Sequence, residues 1–317
     1  MILDEVQNYP ELLLYLKVVV DEQQENGKYI LTGSQHFVIL DNITQSLAGR
    51  TAVLSMYALT INELYKDKLP EVEKLILNGF YPKLHKENIL PNKYYNFYIQ
   101  TYIEKDIRKL INITDLSLFR KFLKLCAGKI GQILNIQSLC NDTGISHNTA
   151  TKWLSLLEVS YIIRLLEPYH TNLGKRLIKS LKLYFTDVGL AANLLNINYK
   201  EHIESHPLKG QLFENLVVME LLKQRNNLGL QAGMYFYRGN NKNEVDLILE
   251  AGSNIYPIEI KSSETFSRSF LKNIENFQKN YENAKQGYLI FQGHVINSPE
   301  NITLLNYKEI KEIADLK

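Results

Sequence analysis

Apolar and polar positions divide the chain into stretches of different periodicity. The first opens on Met1, Ile2 and Leu3 followed by Asp4 and Glu5, the pattern of a buried parallel strand whose carboxyl end reaches a crevice. A helical stretch follows around Leu12 to Val20, and then YILTGSQ gives a second short apolar strand ending in Thr32, Gly33 and Ser34. Strand, helix, strand with polar tips is half of a doubly wound sheet. Residues 94–113 predict an amphipathic helix whose Tyr94, Tyr98 and Tyr102 recur at helical spacing, a stripe suited to packing.

Beyond it, NIQSLCNDTGISHNTATKWLSLLEV reads as a short helix, a turn at Gly144, and a longer helix capped by Ser146. Leu139 and Ile145 brace the turn, and Trp153, Leu156 and Leu157 face inward. His147, Asn148, Thr151, Lys152 and Ser155 are left on the outer face, with donors for phosphate or base edges. This is helix-turn-helix spacing. Two strands around TNLGKR then form a wing bearing Lys175, Arg176, Lys179 and Lys182. The same apolar spacing serves a module that contacts DNA and one that only docks protein, and both readings stay open.

From residue 208 the pattern becomes helix, three strands, helix, strand. Asp246 and Glu259 lie 13 positions apart, enough for two antiparallel strands joined through EAGSN, so their side chains can meet across the ladder. Alternation puts Glu259 and Lys261 on one face and Ile258 and Ile260 on the other. Glu214, on the preceding helix, supplies a third carboxylate, and Arg238 closes the first strand as a phosphate contact. Carboxylates gathered at a sheet edge suit one or two Mg²⁺ ions, with a lysine beside them to orient water or offset developing charge.

Charge sharpens this picture. The total of +2 hides 12 basic and 15 acidic residues in 1–115, 10 and 4 in 116–190, and 14 and 15 in 191–317. The excess is central and points to a polyanionic partner. Two cysteines, Cys126 and Cys140, exclude a disulfide scaffold and a four-cysteine zinc site. The seven histidines show no zinc spacing. Lacking a long apolar run and a basic leader, the chain is expected to be cytoplasmic and without a membrane span. No G-x-x-x-x-G-K-[ST] phosphate loop occurs.

The segments ILDEVQNYPELL, YILTGSQ, SLAGR, LSMYALTINEL, YIQTYIEKDIRKL, LYFTDVGL, GQLFENLVVMELL and EVDLIL…PIEIKSS resemble those of a bacterial and archaeal AAA-type ATPase family carrying a C-terminal domain of uncharacterised function. Members of that family bind ATP and Mg²⁺ and begin some tens of residues earlier, with a strand and the phosphate loop. The resemblance implies Asp4 as the magnesium-site acid, Glu5 as the water-orienting acid, Ser34 as a γ-phosphate sensor and Arg50 as a contact to a neighbouring subunit's phosphate. Without the loop, ATP hydrolysis by this chain is not expected.

The α-β-β-β-α-β order of the last segment is similar to the PD-(D/E)xK restriction-endonuclease-like superfamily. That similarity implies Asp246 and Glu259 as metal ligands, Lys261 as the catalytic lysine and Glu214 as an accessory ligand. The expected architecture is α/β and multidomain. It comprises a truncated P-loop NTPase (AAA-type) half over 1–57, a helical lid and linker over 58–115, a winged helix-turn-helix over 116–190 and the nuclease-like core over 205–317. The partners expected are DNA and a protein partner or second copy of the chain. The competing expectation is a non-catalytic module that binds DNA or protein.

Overall fold

The computed structural model describes residues 1–23, 25–33, 47–66, 68–107, 115–170, 181–239, 243–294 and 298–317. The chain is mixed α/β. Its first unit is small: β1 (Ile2–Leu3) pairs parallel with β2 (Ile30–Leu31) across α1 (Pro10–Gln23), with Ile2 opposite Ile30 and Leu3 opposite Leu31. Leu13, Leu16 and Leu47 make its core, against which Leu3, Leu12, Tyr29 and Leu31 pack. The strand-helix-strand pattern expected from the sequence is present, although each strand is only two residues long.

A second, continuous core runs from Ile61 to Ala314. Short helices α2 (Ile61–Leu64), α3 (Val72–Asn78), α4 (Pro82–Lys86) and α5 (Pro91–Tyr98) open it. Three of them begin where local chemistry allows. Thr60 and Glu63 form a reciprocal capping box at α2, and Pro82 and Pro91 occupy first-turn positions where a missing N–H costs nothing. The tyrosine stripe is packing, as its spacing implies. Tyr94, Tyr98 and Tyr102 stack in succession at centroid distances of 6.1 and 5.2 Å. Beyond α5 the helix widens into π-helical turns over Ile99–Ile107.

Next come α6 (Leu116–Ala127), α7 (Ile136–Thr143) and α8 (His147–Val159). Gly144 sits at φ 88°, the left-handed conformation that ends a helix at low cost, and Ser146 caps α8 by accepting from Thr149 N at 3.2 Å. Strands β3 (Ile163–Leu166) and β4 (Lys182–Phe185) then pair antiparallel, Ile163 opposite Phe185. The two expected strands are therefore paired, and the TNLGKR turn between them lies outside the described residues. All four residues of β4 are buried, and the chain leaving β3 docks on the next sheet, with a Pro168–Phe236 bridge and Tyr169 N donating to Phe236 O at 2.6 Å.

After α9 (Val188–Leu194) and α10 (Lys200–Glu204), the long α11 (Lys209–Asn227) crosses the centre of the molecule. Buried positions occur all around it, Asn215, Glu220, Lys223 and Arg225 included, and each of these polar groups is a clamp. Asn215 accepts from Phe185 N at 2.7 Å and donates to Phe185 O at 2.9 Å. Glu220 accepts from Ile61 N, Lys223 donates to Leu59 O, and Arg225 donates to Ala314 O and Leu316 O. Burying such groups is tolerable only with partners in place.

The final sheet runs in order β5 (Met234–Arg238), β6 (Glu244–Ala251), β7 (Asn254–Lys261), β8 (Gly287–Phe291), β9 (Ile302–Asn306). The first three strands are antiparallel, and β8 and β9 continue parallel to β7. Leu247, Leu249, Ile258 and Ile260 share a core with α11, while α12 (Lys272–Asn280) covers the opposite face through Ile274 and Phe277. The helix, three strands, helix, strand order read from the sequence is observed, with β9 and a short α13 (Lys311–Ala314) added. Among the described residues no helix is long and apolar enough to cross a membrane.

Candidate functional site

The site lies where β6 and β7 part. Their antiparallel register runs from Ala251–Asn254 to Leu247–Ile258, and one step further the same register sets Asp246 opposite Glu259. There the Asp246 carboxylate stands in for a strand acceptor, Oδ2 taking Ile260 N at 2.8 Å. The neighbouring strand β5 is irregular at the same level, its register with β6 shifting between Tyr235 and Tyr237. Such irregularities re-aim side chains at functional edges.

Lys261 joins the two acids. Its Nζ lies 3.2 Å from Asp246 Oδ2 and 2.8 Å from Glu259 Oε1, as the alternation of IEIK anticipated. Asn273 on α12 donates to the same Glu259 Oε1 at 3.1 Å. Glu259 is only 2% exposed, yet its Oε2 has no hydrogen-bond partner. Lys261, 31% exposed, opens the centre to solvent. Burial, helped by the Asp246 charge, pushes the Glu259 carboxyl up to about 8 against the pull of Lys261 and Asn273. Burial alone would lower Lys261, but Asp246 and Glu259 outweigh it and hold the ammonium above the ordinary lysine range.

Glu214 approaches from α11, on the other face of the sheet from α12. It is held by Lys182 Nζ at 3.1 Å and Tyr184 OH at 2.6 Å, both on Oε1. Burial and the Asp246 charge raise its carboxyl to about 7, against Lys182 and Tyr184. Lys182 also pairs with Glu244 at 2.8 Å. This corrects the expectation that Lys182 belongs to a basic outer surface. It is 2% exposed and its charge is spent inside the acidic centre. Alternation along KLYF, which puts Lys182 and Tyr184 on one side, was the signal that a run of basic residues obscured.

Among the described residues no group of three His, Cys, Asp or Glu side chains is arranged to hold a metal ion. Asp246 and Glu259 nonetheless suit one divalent cation. The unpartnered, buried Oε2 of Glu259 is an acceptor the protein leaves open, and hard cations such as Mg²⁺ take one or two carboxylates with the remaining positions filled by water and substrate. Bound there, such an ion would polarise a phosphodiester and lower the pKa of water.

The remaining candidate residues are spread over the chain. Arg238 is exposed at the end of β5, opposite Glu244 in the register. His147, Asn148, Thr151 and Lys152 line the exposed side of α8, where Thr151 Oγ1 donates to His147 O at 3.0 Å. Asp4, at the tip of β1, accepts from Thr32 Oγ1 at the tip of β2. Glu5 follows in the left-handed conformation, φ 52°. Arg50 is turned to its own chain, its guanidinium forked onto Asp21 of α1 at 2.5 and 3.0 Å. Ser34, Lys175, Arg176 and Lys179 lie outside the described residues.

Comparison with known proteins divides the chain in three. Residues 1–65 match the model of an AAA domain. Residues 69–201 match a domain of unknown function, DUF8612, and residues 209–310 another, DUF4143. Together these matches support an AAA-type ATPase-like family with a C-terminal domain of unknown function. Uncharacterized proteins of Mycobacterium bovis and Mycobacterium tuberculosis are each 28% identical over 269 residues, covering 84% of this chain and 59% of theirs. An uncharacterized protein of Haemophilus influenzae is 20% identical over 276 residues, 81% of this chain and 64% of its own. The chain thus spans less than two thirds of these relatives' length.

Proposed function

We propose that this AAA-like protein carries a Mg²⁺-dependent phosphodiester-cleaving centre of the PD-(D/E)xK type and acts on DNA. Asp246 and Glu259 are the metal ligands, and Lys261 is the catalytic lysine, its ammonium placed to offset negative charge that develops on the phosphate. The observation that carries the reading is the fork itself. Two acids from adjacent strands meet at one lysine, with a buried carboxylate oxygen left open beside it. Residues 116–190 would act as a winged helix-turn-helix that brings DNA, contacting it through His147, Asn148, Thr151 and Lys152. The test is cleavage of single- and double-stranded DNA by the purified chain in Mg²⁺ or Mn²⁺. Asp246→Ala and Lys261→Ala should abolish it, and cleavage that is absent or equal in the variants overturns the catalytic reading.

A second reading, a module that binds DNA or a protein partner without cleaving, is favoured by one observation. Lysines already neutralise much of the acidic centre, and no three-ligand set stands among the described residues. It predicts salt-sensitive DNA binding that is unchanged by Asp246→Ala and accompanied by no turnover.

A further inference from the structure

The acidic centre contains four carboxylates and two ammonium groups. Lys261 serves Asp246 and Glu259, and Lys182 serves Glu214 and Glu244. Asp246 lies between the two halves, acting electrostatically on Lys182 and Glu214 on one side and on Glu259 and Lys261 on the other. The halves are not equivalent. Glu259 keeps a buried, unpartnered oxygen and its lysine, Lys261, is 31% exposed, whereas Lys182, 2% exposed, is fixed between Glu244 and Glu214 Oε1, which it shares with Tyr184.

Lys182 has no local reason to be buried. It begins β4, opposite Leu166 of β3 and bridged to Ile133 on its other side, and the hairpin could carry any apolar residue there. A buried ammonium is strongly disfavoured unless anions surround it. Its placement is therefore explained by the carboxylates, and theirs by it.

We infer that the Lys182 ammonium occupies a second cation position in this centre, between Glu214 and Glu244, so that the protein takes one divalent metal ion, at Asp246 and Glu259, rather than two. The inference rests on the proposed metal site. Charge agrees with it: once metal binding has displaced the carboxyl protons, four carboxylates and two ammonium groups leave two negative charges, which one divalent ion balances. Lys182 is then a positioning residue, holding Glu214 and Glu244 in place without itself meeting substrate. Because β4 also pairs with the strand that follows α8, it ties the helix-turn-helix segment to the acidic centre.

The test counts Mn²⁺ bound by the full chain, read from the electron paramagnetic resonance of free Mn²⁺, with the fold checked by the fluorescence of Trp153. Wild type should bind one ion and Glu259→Gln none. Lys182→Met should bind two, and Lys182→Met combined with Glu214→Gln and Glu244→Gln should return to one. Lys182→Arg, which keeps the charge, should stay at one. If Lys182→Met folds only with metal, Mn²⁺ present during refolding should rescue it. No additional ion in Lys182→Met, or no rescue of an unfolded variant, overturns the inference. Failure of wild type to bind an ion sensitive to Glu259→Gln would instead overturn the metal site itself, so the two failures are distinguishable.

Discussion

Asn215 offers a sharp test of how the centre is held. Its side chain satisfies both main-chain groups of Phe185, at 2.7 and 2.9 Å, and is fully buried. In effect the amide is a surrogate strand that locks β4, and with it Lys182 and Tyr184, to the helix bearing Glu214. Asn215→Ala strips a buried N–H and a buried C=O of their partners. Each orphaned group costs about 1–3 kcal/mol, so the loss is about 2–6 kcal/mol. For a chain of this size that lowers Tm by about 3–9 °C. Thermal unfolding followed by the fluorescence of Trp153, the only tryptophan, reads the change directly. Asn226→Ala, which removes a single bond to Ser55 O, is the comparison, with an expected cost of about 1 kcal/mol. If Asn215→Ala shifts Tm no more than Asn226→Ala, the clamp does not act as argued.

Other outcomes follow from the same geometry. Because burial raises Glu259 to about 8 from an ordinary value of 4.5, the folded state holds a proton there that the unfolded state releases. The Glu259 contribution to stability is then complete below about pH 4.5 and lost as pH rises toward 8, a slope that Glu259→Gln should flatten in unfolding measured across that window. Mn²⁺ binding at this carboxylate should release a proton, so its apparent affinity should rise between pH 6 and about 8 and level off above. Gly189→Ala would set a Cβ 2.3 Å from Tyr95 Oη and 2.8 Å from Gly79 N, and should destabilise by about 1–3 kcal/mol in the same unfolding assay. If α8 contacts DNA phosphate, Lys152→Ala should reduce the salt slope of binding by about one, whatever the DNA sequence.

The Asp246–Glu259–Lys261 fork was legible because strand alternation and antiparallel register are arithmetic. Two acids 13 positions apart around a tight turn must face one another, and a lysine two residues on must share their side. The helix-turn-helix spacing was equally visible, since Gly144 and Ser146 act through local backbone chemistry. What escaped was set by tertiary context. Asn215, Glu220, Lys223 and Arg225 look like the outer face of an amphipathic helix, and only the crossing of α11 through the centre turns them into clamps. Lys182 sat in a basic run that suggested a solvated surface, whereas the buried position of β4 sends it inward. The docking of Pro168 and Tyr169 on β5, and strand β9, depend on contacts distant in sequence.

The position of the metal bears most directly on the central claim. Crystals of the full chain soaked in Mn²⁺ should give one anomalous peak within coordination reach of Asp246 and of Glu259 Oε2, and none between Glu214 and Glu244, where Lys182 lies. An absent peak, or a peak that avoids Glu259, would contradict the account.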